Sequence, residues 1–326
     1  MLTEPVPSLE ELATRLLDPI PEGPEELIPG LIPRNQEVLI SGQTNIGKSL
    51  SALEIVSSLV TGLPLWGALQ PMSLISKVLY VLGEHHIEVI QKLHRKTELP
   101  MTEKVYILGP QELGFDKWLV SQGRPNLLAV EKFKRWGEGC DFIVFDPLSA
   151  FCTGVDTEND NIQMRLVLDT ISLIAQSSGA SYLVLAHQGK PMMDQFGREQ
   201  TRKTYATRGA SATEDAATNV FYLGKSDGPI MGVARESMVL DLVCRKFKGE
   251  TPPDRKLLRD PKTLTHTVLG NNAYKEVQKF DYNAKLARIQ VENPNFDFRT
   301  ALRILASVEG IPVETLKKRI GLTIAD

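Results

Sequence analysis

Between residue 37 and about residue 269, short apolar runs alternate with longer stretches in which apolar positions recur every three or four residues. The short runs are Val38-Leu39-Ile40, Val78-Leu79-Tyr80-Val81-Leu82, Val105-Tyr106-Ile107-Leu108, Phe142-Ile143-Val144-Phe145 and Tyr182-Leu183-Val184-Leu185-Ala186. None alternates strictly with polar residues, and all are rich in Val, Ile, Leu and Phe. That pattern predicts parallel strands covered on both faces. The stretches 48–61 and 161–178 carry the helical period. Strand and helix in alternation predict an α/β layered fold around a mostly parallel sheet. Two later runs, Asn219-Val220-Phe221-Tyr222-Leu223 and Met238-Val239-Leu240-Asp241-Leu242-Val243, are separated by a short Gly-containing stretch and read as antiparallel additions.

The two ends depart from this pattern. Residues 1–36 hold seven prolines and seven acidic residues against two arginines. Within them Ser8-Leu9-Glu10-Glu11 is a capping box, followed by Leu12, Leu16 and Leu17 at helical spacing. This predicts an acidic, Pro-rich N-terminal arm with a short amphipathic helix, either a frayed terminus or an arm that docks on a neighbouring subunit. The segment 285–326 is helical again: Asp297 can cap a helix carrying Phe298, Ala301, Leu302 and Leu305 on one stripe. Gly310-Ile311-Pro312 interrupts it, and a second helix over 313–320 carries Lys317, Lys318 and Arg319. That pair is either a helix-turn-helix-like DNA reader or a packed cap. The core between the ends spans 37–275.

Composition narrows the class. The 326 residues are 42% hydrophobic and 24% charged with a net charge of −3, which excludes disordered and collagen-like chains and coating by nucleic acid, though not a local basic channel. Cys140, Cys152 and Cys244 are scattered and odd in number, which suits a reducing compartment and argues against a zinc site. No run of 18 apolar residues occurs and the N-terminus lacks a signal-peptide pattern, so a cytoplasmic protein with no membrane association is expected.

The strongest chemical signal is Gly42-Gln43-Thr44-Asn45-Ile46-Gly47-Lys48-Ser49, which fits G-x-x-x-x-G-K-[ST]. Glycines allow backbone N–H groups to turn inward around phosphates, Lys48 reaches the β and γ oxygens, and the Ser49 hydroxyl ligates Mg²⁺. A strand precedes this loop and a helix follows, whose N-terminus adds a favourable dipole. ATP and Mg²⁺ are the expected ligands. Such a loop needs a carboxylate as a second group for the metal, and Asp146 closes the apolar run 142–145 where a central strand should end. Glu84 stands at the tip of the strand 78–82 and can act as general base on the attacking water. Glu88, one helical turn further on, is its competitor.

A further strand ends in Ala186-His187-Gln188-Gly189-Lys190, where Gln188 can report loss of the γ-phosphate to the loop that follows. The loop 188–208 contains Lys190, Arg198, Arg202, Lys203 and Arg208 against Asp194 and Glu199, a net of +3. It is either a solvated loop or a surface for a nucleic-acid backbone. Arg245-Lys246-Phe247-Lys248-Gly249 places cations at a strand end, suited to reaching across a subunit interface as a trans-acting finger.

In this order the motifs resemble a RecA-like P-loop ATPase core, and more narrowly the RepA-type hexameric replicative helicases of plasmids. The similar stretches are Gly30-Leu31-Ile32-Pro33, the phosphate loop, Leu65-Trp66-Gly67, residues 80–84, Phe145-Asp146-Pro147-Leu148 with the acidic 156–160, residues 186–190, Arg208-Gly209-Ala210-Ser211 and residues 246–249. They cover roughly residues 28–255. The resemblance implies Glu84 as general base, Asp146 as Mg²⁺ partner and Arg208, Lys246 or Lys248 as trans cations. It also implies single-stranded DNA as partner, a homo-oligomer of the hexameric type, and replication or mobile-element proteins as associates. Two departures stand out: His187-Gln188 replaces a pair of histidines, and Lys246-Phe247-Lys248 replaces Lys-x-Arg, whose arginine alone has bidentate geometry. The function so implied is an ATP-driven motor on single-stranded DNA; the alternatives are an ATP-switched DNA-binding or assembly regulator and a recombinase-like ATPase without unwinding.

Overall fold

The computed structural model describes residues 25–84, 86–114, 118–153, 161–187, 214, 216–226, 233, 237–269, 289, 297–308, 313 and 316–317. A nine-stranded sheet runs in the order β14 (His266–Val268), β13 (Arg255–Arg259), β12 (Val239–Lys246), β11 (Val220–Lys225), β3 (Glu37–Gly42), β10 (Ser181–His187), β8 (Phe142–Asp146), β4 (Val78–Leu82), β5 (Val105–Leu108). Its parallel part comprises β3, β4, β5, β8, β10 and β11. On its far side β12, β13 and β14 follow as antiparallel neighbours. Two small sheets complete the strands: β1 (Glu26–Ile28) with β2 (Ile32–Pro33), and β6 (Val120–Ser121) between β7 (Arg124–Pro125) and β9 (Cys152–Thr153).

The non-alternating runs are explained by helices on both faces. Val38, Ile40, Val78, Tyr80, Phe142, Val144, Leu183 and Leu185 point to one side, where they meet Ile55, Val56 and Leu59 of α1 (Lys48–Thr61) and Ile90 of α2 (Ile87–Thr97). Their immediate neighbours Leu39, Leu79, Val81, Ile143, Phe145, Tyr182 and Val184 point to the other, against Val130 and Phe133 of α3 (Leu127–Gly137) and Val167, Ile171 and Ile174 of α4 (Asn161–Ser178). The pleat therefore sends successive apolar residues into two separate cores. Helices α1 and α4 span the stretches the helical period gave, 48–61 and 161–178.

Two expectations are adjusted. The run from Asn219 is not an antiparallel addition to the core: β11 pairs in parallel with β3 and only its partner β12 reverses. The hairpin pattern fixed the direction of β11 against β12, but said nothing about which core strand β11 joins. Strands β13 and β14 carried no apolar run long enough to be read. At the end of the acidic arm, Leu27, Ile28, Leu31 and Ile32 are buried in the first core. In the tail, Asp297 does cap α5 (Phe298–Val308), its Oδ1 accepting the Thr300 N–H at 2.7 Å, and Ala301, Leu302, Leu305 and Ala306 pack with Leu316 as a third cluster. Phe298 stays 43% exposed, off that stripe. No helix among the described residues is long and apolar enough to cross a membrane.

Strand direction decides what each edge of the sheet carries. The parallel strands β3, β4, β8 and β10 all end at one edge. Because β12 reverses and β13 reverses again, β13 runs with them and ends at that same edge with Arg259. The end of β12 lies at the opposite edge: Lys246 stands across from Val220, which stands across from Leu39 near the start of β3.

Candidate active site

At the carboxyl end of β3 the chain passes directly under β11. A Cβ on Gly42 would lie 2.3 Å from the Leu223 carbonyl oxygen, so only glycine lets the loop leave the sheet here. The loop then turns through Asn45 at φ 63° and Gly47 at φ 113° into α1. The first turn of α1 has no side-chain cap and no acidic residue, so its N–H groups and positive dipole end face the loop. Lys48 is only 6% exposed, and its Nζ donates to the Gly42 and Gln43 carbonyls at 2.9 and 2.8 Å. The ammonium is thus held under the arch of the loop.

The two predicted carboxylates reach the same edge from β8 and β4. Asp146 is 4% exposed, and its Oδ2 accepts the Tyr80 hydroxyl at 2.9 Å. Burial, and then the adjacent Asp146 charge, push the Tyr80 phenol well above its ordinary pKa, so it stays a donor. Glu84 follows Gly83, where a Cβ would come within 2.2 Å of the Ala150 Cβ; this close approach lets the tip of β4 fold over the turn that follows β8. From that turn Ser149 Oγ donates to Glu84 Oε1 at 3.2 Å.

Between Lys48 and Glu84 sits His187, the last residue of β10. Its register partner is Gly42, the first glycine of the loop. An ammonium can only donate, so His187 Nδ1 accepts from Lys48 Nζ at 3.4 Å, which leaves the ring proton on Nε2 facing Glu84 Oε2 at 3.8 Å. The sequence reading passed over His187 for Gln188; parallel register with β3 is what brings the histidine level with the loop.

A second cation was missed altogether. Arg259, at the end of β13, presses its guanidinium against the loop, Nη2 donating to the Ile46 carbonyl. Burial lowers its pKa and the Glu54 charge opposes that drop. The only signal in the sequence was a basic residue closing a short run, Leu257-Leu258, and this becomes legible only once the strand order is known.

Together these groups line a cleft of about 430 Å³, with Thr44, Asn45, Gly47, Lys48 and Ser49 on its floor and Glu84, Asp146, His187 and Arg259 on its walls. Leu93 and Leu264 add apolar surface. Glu88, exposed on α2, is not among the lining residues. The volume falls in the ~300–1,000 Å³ range of small-molecule sites. An uncapped helix start, a buried ammonium and a buried carboxylate across the cleft form a donor set that fits a nucleotide triphosphate with its divalent cation: Ser49 and Asp146 would hold the metal, and residues 42–48 the phosphates.

Lys246 and Lys248 lie at the opposite edge. Lys246 Nζ donates to the Ala217 carbonyl at 2.6 Å, and the Lys248 backbone N–H donates to Asn219 Oδ1 at 2.9 Å. Neither reaches the cleft of its own chain. Gln188, Lys190, Arg198, Arg202, Lys203 and Arg208 lie outside the described residues, as do the arm helix over 8–17 and the acidic segment 156–160.

The family AAA_25, an AAA domain, matches residues 3–193. No curated protein matches the chain. Among solved structures, the chain is similar to the KaiC-like protein PH0186 from Pyrococcus horikoshii at 14% identity and a TM-score of 0.47, covering 75% of this chain and 94% of that one. It is also similar to the flagellar accessory protein FlaH from Methanocaldococcus jannaschii at 12% identity and a TM-score of 0.46, covering 73% and 91%.

Proposed function

This chain belongs to the AAA domain family, and from that premise we propose that it is an ATP-driven motor of the hexameric helicase type acting on single-stranded DNA, cytoplasmic and serving plasmid, phage or mobile-element replication. Lys48 stabilises charge developing on the transferred phosphoryl group. Glu84, held by Ser149, accepts the proton of the attacking water. Mg²⁺, when bound between Ser49 and Asp146, would neutralise phosphate charge.

The observation that carries the motor reading is the position of His187. It touches the phosphate-binding lysine, faces the general base, and directly precedes the cationic segment 188–208 in sequence. A change at the γ-phosphate is therefore felt where that loop is anchored, with Gln188 as the next residue along. Lys190, Arg198, Arg202 and Lys203 supply the backbone contacts to the strand.

The test is ATP turnover with and without single-stranded DNA. Arg202→Ala with Lys203→Ala should abolish stimulation and spare basal turnover. It should also flatten a salt dependence in which log K falls by ~0.7 per phosphate contact for each decade of salt. Unchanged DNA affinity and slope would sink the motor reading, and the ATP-switched regulator would take its place.

The far-edge position of Lys246 and Lys248 supports their use, with Arg208, on the nucleotide of a neighbouring subunit. Turnover per subunit should then rise with protein concentration. A Lys246→Ala/Lys248→Ala double variant should lose about tenfold or more, within the reach of trans cations. Mixing it with a Lys48-defective subunit should restore activity, since one kind of interface regains both halves. Confirmed co-assembly without recovery would mean that each site is complete within one chain.

A further inference from the structure

Helix α1 carries a carboxylate where its position in the fold calls for an apolar side chain. Glu54 is 4% exposed and lies within five residues of Ile55, Val56 and Leu59 of the first core. Three donors converge on it. The His266 backbone N–H reaches Oε1 at 2.6 Å, while the Trp66 indole and His266 Nδ1 reach Oε2 at 2.9 and 2.7 Å. On the other side of the imidazole, Arg259 Nε lies 3.1 Å from His266 Nε2. Arginine only donates, so Nε2 accepts and the ring proton must sit on Nδ1, pointing at Glu54. The result is a chain from a half-buried cation through a neutral imidazole to a buried carboxylate, with the guanidinium resting on the phosphate loop at the Ile46 carbonyl.

A carboxylate taken out of water in this way rarely stabilises a fold more than an apolar residue of the same volume would, because desolvation consumes the electrostatic gain. What it provides is a fixed position. Here the thing positioned is the guanidinium, and it is packed without clearance: a Cβ on Gly47 would fall 1.9 Å from Arg259 Nη2.

We propose that Arg259 is a positioning residue of the phosphate loop, orienting the Ile46–Gly47 peptide, and that Glu54 and His266 hold it for this task. The inference rests on the nucleotide-site reading above. In a trans peptide the C=O and N–H point in opposite directions. Drawing the Ile46 carbonyl toward Arg259 therefore turns the Gly47 N–H the other way, as a donor for phosphate. Leu264 of the same β13–β14 turn lines the cleft, so the outermost hairpin of the sheet and the loop at its centre bound one site.

Two measurements test this on the full chain. The first is amide hydrogen exchange over residues 42–50 without nucleotide. Arg259→Ala should speed it roughly tenfold, as loss of one charge-assisted hydrogen bond allows, and leave residues 142–146 unchanged. The second is ADP affinity with steady-state kinetics. Kd and KM should rise roughly tenfold in the same variant while kcat falls only a few-fold, a split that general destabilisation does not produce. Arg259→Lys keeps the charge but not the planar fork, and should shift both readouts in the same direction by a smaller factor. It also decides the matter if Arg259→Ala fails to fold. Unchanged loop exchange together with a Kd within twofold of wild type, in either folded variant, would overturn the proposal. Wild-type protein that binds neither ADP nor ATP would instead sink the ATPase reading; the exchange comparison would still decide whether Arg259 orders the loop.

Discussion

Glu84→Gln should cut ATP turnover by ~10²–10⁴, the range lost with a positioned general base, while nucleotide still binds. The substitution preserves shape, and Gln can still accept the Ser149 hydroxyl now 3.2 Å from Oε1. What it removes is the ability to take a proton. Its side chain is 39% exposed, as access for a water requires, yet His187 stands on its inner side. Phosphate release measured beside ATP binding separates chemistry from affinity. Glu88→Gln is the control and should stay within about twofold of wild type, because Glu88 lies outside the cleft. Normal turnover in Glu84→Gln, with a defect in Glu88→Gln instead, would reverse the assignment.

Lys48→Ala should lower turnover by ~10²–10³, the loss typical of one electrostatic contact to a transition state. The effect has two physical parts. The ammonium is gone from the phosphates, and the Gly42 and Gln43 carbonyls that it now bridges lose their donor. A thermal melt distinguishes loop collapse from loss of chemistry, since α1 remains packed through Ile55, Val56 and Leu59. A folded Lys48→Ala protein with normal turnover would remove the basis for any nucleotide chemistry at this cleft.

Residues at the site were legible to the degree that their position depends on local sequence. The phosphate loop is a contiguous turn whose glycines and lysine act within eight residues, so the pattern alone located it. Glu84 and Asp146 sit where apolar runs stop, and a run that stops at the end of a parallel strand points its next polar residue at the shared edge. His187 and Arg259 needed more. The side from which His187 enters the site follows from its register with Gly42, and register between β10 and β3 is a pairing across some 140 positions. Arg259 reaches the loop only because two successive reversals return β13 to the direction of β3. One face of β13 and β14 is partly exposed, so their apolar residues were too few to mark them as strands. Composition of the site was thus readable where the chain does the positioning, and hidden where the sheet does.

The double reversal after β11 also sets where this chain can change length. The connection from β12 to β13 lies at the far edge, and residues 250–253 could gain or lose positions there without touching the cleft. A single insertion inside β13 is another matter. Side chains alternate with a period of two, so one extra residue would turn Arg259 to the opposite face of the sheet and put Lys256 or Leu258 out of register with Asp241 and Val239. Homologous chains should accordingly drift in length between these strands, while the number of residues from Arg255 to His266 is held constant.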